Sequence, residues 1–203
     1  AGATAGIVPG DAETERYLRE AGVTDTINPV LPDSDAKYCK IVEINANEFE
    51  PQIACPHTVD NVKPISQVKG IKVDQIVIGS CTNGRIDDLE IAASILKGKK
   101  VAEDTRMLIF PASWKIYKKA LKQGLLEIFS DSGAIIMNPG CGCCLGVHQG
   151  AIGDGEVALS TTNRNFKGRM GNPKGDVYLC SPAVAAASAV AGEITSPTMK
   201  GVN

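Results

Sequence analysis

Aromatic residues are scarce in this chain, 4% of 203 residues with a single tryptophan. No basic patch interleaved with aromatics suggests nucleic acid. Neither sign of charge dominates, since 21 Lys and Arg face 23 Asp and Glu for a net charge of -2. That balance gives no general case for nucleic-acid or membrane partners. No apolar run approaches the roughly 20 residues that span a bilayer. No glycine-rich phosphate loop of the Walker or dinucleotide type is present, and no G-x-S-x-G hydrolase signature. No signal-peptide pattern opens the chain, and Ala1 reads as an internal start. What remains is ordinary globular composition, 43% apolar and 22% charged, enough for one large domain or two small ones.

Cysteine is the exception. There are seven, an odd number, and three lie within the stretch 141–144. A secreted disulfide framework more often shows an even count in a shorter chain. Adjacent Cys143 and Cys144 are poorly placed for two separate bridges. The pattern reads as a reducing cytoplasm with thiolates held for metal.

Hydrophobic patterning divides the chain. Asp11 to Gly22 reads as a short helix, with acidic residues in its first turn. Residues 24–37 read as loop, and the alternation of 38–44 (YCKIVEI) reads as a strand. Residues 47–64 carry three prolines and read as a linker. From Val68 a rhythm of strand, loop and helix begins. Strands are expected at 74–79, 107–110, 134–137, 156–161 and 176–179. Helices are expected at 86–96, from Ser113 to Gly124, and from Ser181-Pro182 to Gly192. This order predicts an α/β fold, three αβα layers around a mainly parallel sheet. The expected division is 1–66, a partial α/β segment plus linker, and 67–203, the sheet domain.

Ligands on such sheets bind beyond the carboxyl ends of the strands. Cys81 in GSCTN follows the first of these strands. Cys141 and Cys144 in GCGCCLG follow the third. Arg164 and Arg169 follow the fourth. Three chemically loaded loops therefore fall on one edge of one sheet. Three thiolates are one too few to saturate an iron–sulfur cube, so one iron would stay open for substrate. The C-x-x-C pair alone also fits a redox disulfide or half a zinc site, with His57, His148 or Cys180 as a further zinc ligand. Cys143, between two candidate ligands, reads as a spectator. Cys180 reads as core, and Cys39 and Cys55 as structural. His148 reads as solvent-facing. Ser80, Thr82 and Asn83 read as caps of the following helix, and Asn163 as a turn residue. Asn83 and Asn163 are also placed to donate to cluster sulfur. The arginine forks imply a small anionic ligand, a di- or tricarboxylate.

In order, VIGSCTNGR, NPGCGCCLG, STTNRNFKGR and YLCSPAVAAASAVAGEI resemble the aconitase superfamily over the whole chain, most strongly from Val77 to Ile194. The resemblance implies that Cys81, Cys141 and Cys144 ligate a [4Fe–4S] cluster with one iron not ligated by protein. It implies that Arg164 and Arg169 bind substrate carboxylates and that Asn163 lies near the cluster. The implied activity is a hydro-lyase that isomerises a hydroxy acid by dehydration and rehydration. It also implies that residues 1–66 close a preceding aconitase-type domain. AGATAGIVPGD resembles the middle of a large subunit, so an N-terminal half with acid–base residues is expected elsewhere. A small subunit carrying the swivelling domain is the expected partner.

Overall fold

A computed structural model describes residues 5–197. The chain divides into two compact units, Ala1–Asn45 and Ala46–Asn203.

The first unit contains helix α1, Ala12–Glu20. The Asp11 carboxylate accepts the Thr14 N–H at 2.9 Å, and the Thr14 hydroxyl oxygen accepts the Asp11 N–H at 3.3 Å. This reciprocal cap satisfies two amides the first turn leaves open. Arg16 pairs with Glu13 and Glu20 along one face. No residue of α1 is buried. The strand expected at 38–44 does not form, and Tyr38, Ile41, Val42 and Ile44 are all exposed. Alternation makes a strand only where a neighbour supplies hydrogen bonds and a face to pack on. Among the described residues of this unit there is no such strand.

The second unit is built on a seven-stranded sheet. In chain order its strands are β1 (Gln52–Ala54), β2 (Val62–Pro64), β3 (Gln75–Gly79), β4 (Arg106–Phe110), β5 (Ile135–Ile136), β6 (Val157–Ser160) and β7 (Asp176–Leu179). Their spatial order is β2-β1-β7-β6-β3-β4-β5. The strands from β7 to β5 are mutually parallel, and β1 and β2 run antiparallel at one edge. The α/β class and the mainly parallel sheet are as the sequence predicts.

The stretch expected as a linker is different. Residues 52–64 form the β1–β2 hairpin, with Ile53 fully buried and Ala54 paired to Leu179. Strands of three residues are too short to show a period. Pro64 sits in the outermost strand, where a missing N–H disrupts no inner ladder. Residues 46–66 thus lie in the same compact unit as the parallel sheet.

Helices α2 (Ile86–Leu96), α3 (Trp114–Lys122), α4 (Leu125–Ser132) and α5 (Pro182–Ala191) follow β3, β4 and β7. The sequence reading omits α4, because Gly124 looks like a stop. Gly124 does end α3, but its left-handed conformation turns the chain directly into the next helix. The four helices pack with Ile76, Ile78, Met107, Ile109 and Leu159 in the main core. The alternate strand residues Val77, Leu108, Phe110, Ala158 and Val177 face the other way. They are covered by Cys143, Ile152 and Met170, which come from the connections between β5 and β6 and between β6 and β7. Three layers are present, but the layer opposite the helices is loop rather than helix. Strand order explains this: both connections run back across the sheet, and right-handed crossovers place them on the opposite face.

Candidate functional site

From β3 the chain moves outward through β4 to β5, then returns to place β6 on the other side of β3. The carboxyl ends of β3 and β6 therefore form a switch point, where such sheets open a crevice. The loops carrying Cys81 and the two arginines flank it. The loop carrying Cys141 and Cys144 leaves β5 at the same edge.

The Cys81 loop begins with a forced turn. Gly79 has φ +101°, and Ser80 has φ +113°, a conformation rarely adopted by a residue with a Cβ. Ser80 N–H donates to the Phe110 carbonyl at 3.2 Å. Its hydroxyl is buried without a partner among the described residues. Asn83 does not cap α2. Its Oδ1 accepts the Thr161 hydroxyl at 2.6 Å, and the Thr161 oxygen accepts the Gly79 N–H at 2.9 Å. Thr161 thus joins the two loops across the switch point. The N-cap of α2 is Arg85, whose N–H donates to Asp88 at 2.9 Å. Four residues lie between Ser80 and that cap, so the flanking Ser, Thr and Asn serve the loop itself. Cys81 is exposed.

Cys141 is exposed at the start of a single tight turn, Gly142–Cys144. Cys143 points into the core beneath the loops and is 1% exposed. Burial and the neighbouring Cys144 push its thiol up to about 12. That environment suits the spectator reading. Cys144 is buried, yet the Arg169 Nη2 donates to its sulfur at 2.9 Å. The same Nη2 lies 3.5 Å from the Asn163 Oδ1, and Cys144 Sγ lies 4.0 Å from that oxygen. The Arg169 guanidinium stands 5.2 Å from the Phe166 ring centre, and its Nε is buried without a partner among the described residues. Cys144, Asn163 and Arg169 are therefore one cluster.

Arg164 goes elsewhere. It is exposed and lines an open cleft with His57, Thr58, Asp60, Asn165 and Phe166. His57 Nε2 is 3.6 Å from the Asp176 carboxylate. Asn165, which the sequence does not single out, anchors this region. Its buried Nδ2 donates to the carbonyls of Cys55 at 2.8 Å and Thr58 at 3.2 Å. The arginine loop is thereby fixed to the β1–β2 turn. Nothing in the sequence marks Asn165, since its partners lie over a hundred residues away. His148 is exposed, and Cys180 packs at the margin of the main core. All seven cysteines are free thiols. Among the described residues, no group of three or more His, Cys, Asp and Glu is arranged to hold a metal ion.

Residues 61–192, which include both cysteine loops and the arginine loop, match the model of the aconitase family (aconitate hydratase). The chain belongs to the aconitase family. Curated aconitase-family relatives are similar along nearly its whole length. The 3-isopropylmalate dehydratase large subunit of Elusimicrobium minutum is 55% identical over 197 residues, covering 97% of this chain and 47% of the relative. A probable 3-isopropylmalate dehydratase large subunit of Methanothermobacter thermautotrophicus is 52% identical over 196 residues, covering 97% and 46%. A probable methanogen homoaconitase large subunit of Methanosarcina mazei is 55% identical over 196 residues, covering 97% and 49%. The chain thus spans about half the length of the curated relatives it matches. The Cys81 loop, the Cys141–Cys144 loop and the arginine loop all leave the carboxyl edge of the parallel strands. No described helix is long and apolar enough to cross a membrane.

Proposed function

We propose that this chain is the cluster-bearing part of the large subunit of an iron–sulfur hydro-lyase, a 3-isopropylmalate dehydratase of leucine biosynthesis. The observation that carries the proposal is the bond from Arg169 to Cys144 at the sheet edge that the Cys81 and Cys141 loops also leave. Cys81, Cys141 and Cys144 are the proposed ligands of a [4Fe–4S] cluster. The donor set suits that group: three free thiols from two loops, with a fixed cation at the buried one. When bound, a cluster held by three thiolates supplies one open iron, a Lewis acid for the substrate hydroxyl.

The remaining roles belong to side chains. Arg169 is held by Phe166 and Asn163 beside Cys144, so its fork is oriented before a carboxylate arrives. Arg164 faces open solvent in the adjoining cleft and would take a second carboxylate. Asn83 has its oxygen occupied by Thr161, which leaves its amide hydrogens as donors toward sulfur. Asn163 lies within reach of the same site. The groups that move the carbon-bound proton are assigned to other polypeptide: the rest of the large subunit and a small subunit with the swivelling domain. Of the expected segment 1–66, residues 1–45 are assigned to the end of the preceding aconitase-type domain, and the complex to the cytoplasm.

A homocitrate-type substrate is the second reading, supported by 55% identity to a probable methanogen homoaconitase large subunit. Turnover of 3-isopropylmalate and of homocitrate by the intact large subunit with its small subunit separates the two. Cys81→Ser is expected to abolish cluster retention, read as iron and sulfide per chain after anaerobic reconstitution. Unchanged iron in that variant would overturn the ligand assignment. Retained zinc in a colourless protein would favour a non-catalytic binding module instead.

A further inference from the structure

Phe110 is the last residue of β4, the strand between β3 and β5, and it is fully buried. Both cysteine loops close over it. From the Cys81 side, an added Cβ at Gly79 would lie 1.8 Å from the Phe110 carbonyl oxygen, and one at Gly84 would lie 2.4 Å from the same atom. From the Cys141 side, an added Cβ at Gly142 would lie 2.2 Å from Phe110 Cε1 and 2.5 Å from Cζ. Ser80 N–H is bonded to the Phe110 oxygen, and Ala112 N–H to the Gly84 oxygen at 3.0 Å. One residue therefore meets one loop through its backbone and the other through its ring.

We infer that Phe110 is the positioning residue that fixes the Cys81 loop and the Cys141–Cys144 loop relative to each other. The inference rests on the cluster reading for its consequence, but its geometry stands without a cluster. The carbonyl side is insensitive to side-chain replacement, so Cys81 stays near its place in any variant. The ring side is not: Gly142 lies against the ring atoms that a smaller side chain lacks. Shrinking the ring frees the turn that carries Cys141 and Cys144, and the spacing between the loops loses definition. A rigid bridging group needs that spacing held before it arrives.

The test uses Phe110→Leu beside Phe129→Leu in the full large subunit. Phe129 is equally buried but packs among the helices of the main core. In the metal-free protein, amide hydrogen exchange across residues 141–146 is expected to rise about tenfold in Phe110→Leu and not in Phe129→Leu. After anaerobic reconstitution, visible absorbance should bleach in air about tenfold faster in Phe110→Leu than in Phe129→Leu. The Gly142→Ala variant should lose less when combined with Phe110→Leu than the two separate losses predict, because the overlapping ring atoms are gone. Equal exchange in the two leucine variants, or full additivity at Gly142, would overturn the inference. A wild-type protein that takes up no iron would instead overturn the cluster reading, while the exchange comparison still decides the role of Phe110.

Discussion

Replacing Gly79 with alanine tests how firmly the site edge is built. Gly79 pairs with Phe110 in the parallel ladder of β3 and β4. The added Cβ would lie 1.8 Å from the Phe110 oxygen and 2.7 Å from its carbonyl carbon. Both are backbone atoms, so no side-chain rotation relieves the overlap. At φ +101° any residue with a Cβ also costs about 1–2 kcal/mol. Overpacking in a closed site adds about 1–3 kcal/mol. Losing the Ser80 bond to the Phe110 oxygen adds roughly 1 kcal/mol. Together these approach about 3–6 kcal/mol, a large share of the 5–15 kcal/mol that typically holds a domain. Gly98 provides the control. Its φ is +73°, but nothing lies within 4 Å of an added Cβ. Gly98→Ala should therefore cost only the backbone term, about 1 kcal/mol. The costs differ by about 2–5 kcal/mol, so with a urea dependence of about 2 kcal/mol per molar the two midpoints should differ by about 1–2.5 M. Coincident midpoints would refute the reasoning, since they would mean that β3 and β4 separate freely at their carboxyl ends.

At the opposite end of β4, Arg106 bonds both oxygens of Glu156 and holds that carboxyl below the usual glutamate range. A depressed carboxylate stabilises the fold above its unfolded value, about 4.3, and loses that contribution as pH falls through the folded value. Glu156→Gln should thus cost about 0.5–1.5 kcal/mol at pH 7 and progressively less below pH ~4, read by thermal melts across pH. A constant difference down to pH ~3 would contradict the pairing. Thiol alkylation followed by peptide mapping should label exposed Cys39, Cys81 and Cys141 well before buried Cys55 and Cys143. Burial raises the thiols of Cys55 and Cys143, which lowers the reactive thiolate fraction. Early labelling of Cys143 would show that the 142–144 turn opens in solution.

The parallel sheet was legible because its strands are short apolar runs followed by amphipathic helices, and α2 falls where its stripe of Leu89, Ala92, Ala93 and Leu96 places it. Those four side chains are buried together in the main core. The β1–β2 hairpin was hidden because three residues cannot show a period, and its prolines read as punctuation. The strand at 38–44 failed for the reverse reason: it has the period but no partner strand among the described residues. At the site, residue type and strand-end position were enough to bring Cys144, Asn163 and Arg169 together. Thr161, Asn165 and Phe110 were not legible. Each acts through a contact with a distant segment, and no local pattern announces such a contact.

The strand order also sets a sequence of events in time. Gly79 and Thr161 are bonded although 82 residues separate them in the chain. The β3–β4 contact closes a much shorter loop, and contacts between distant segments form more slowly. A chain made from its N-terminus completes β3, β4 and β5, with both cysteine loops, before β6 and the arginine loop exist. The crevice appears only when β6 returns to lie beside β3 and brings the arginine loop with it. The thiols of a nascent chain consequently emerge before Arg169, the cation that lies on Cys144.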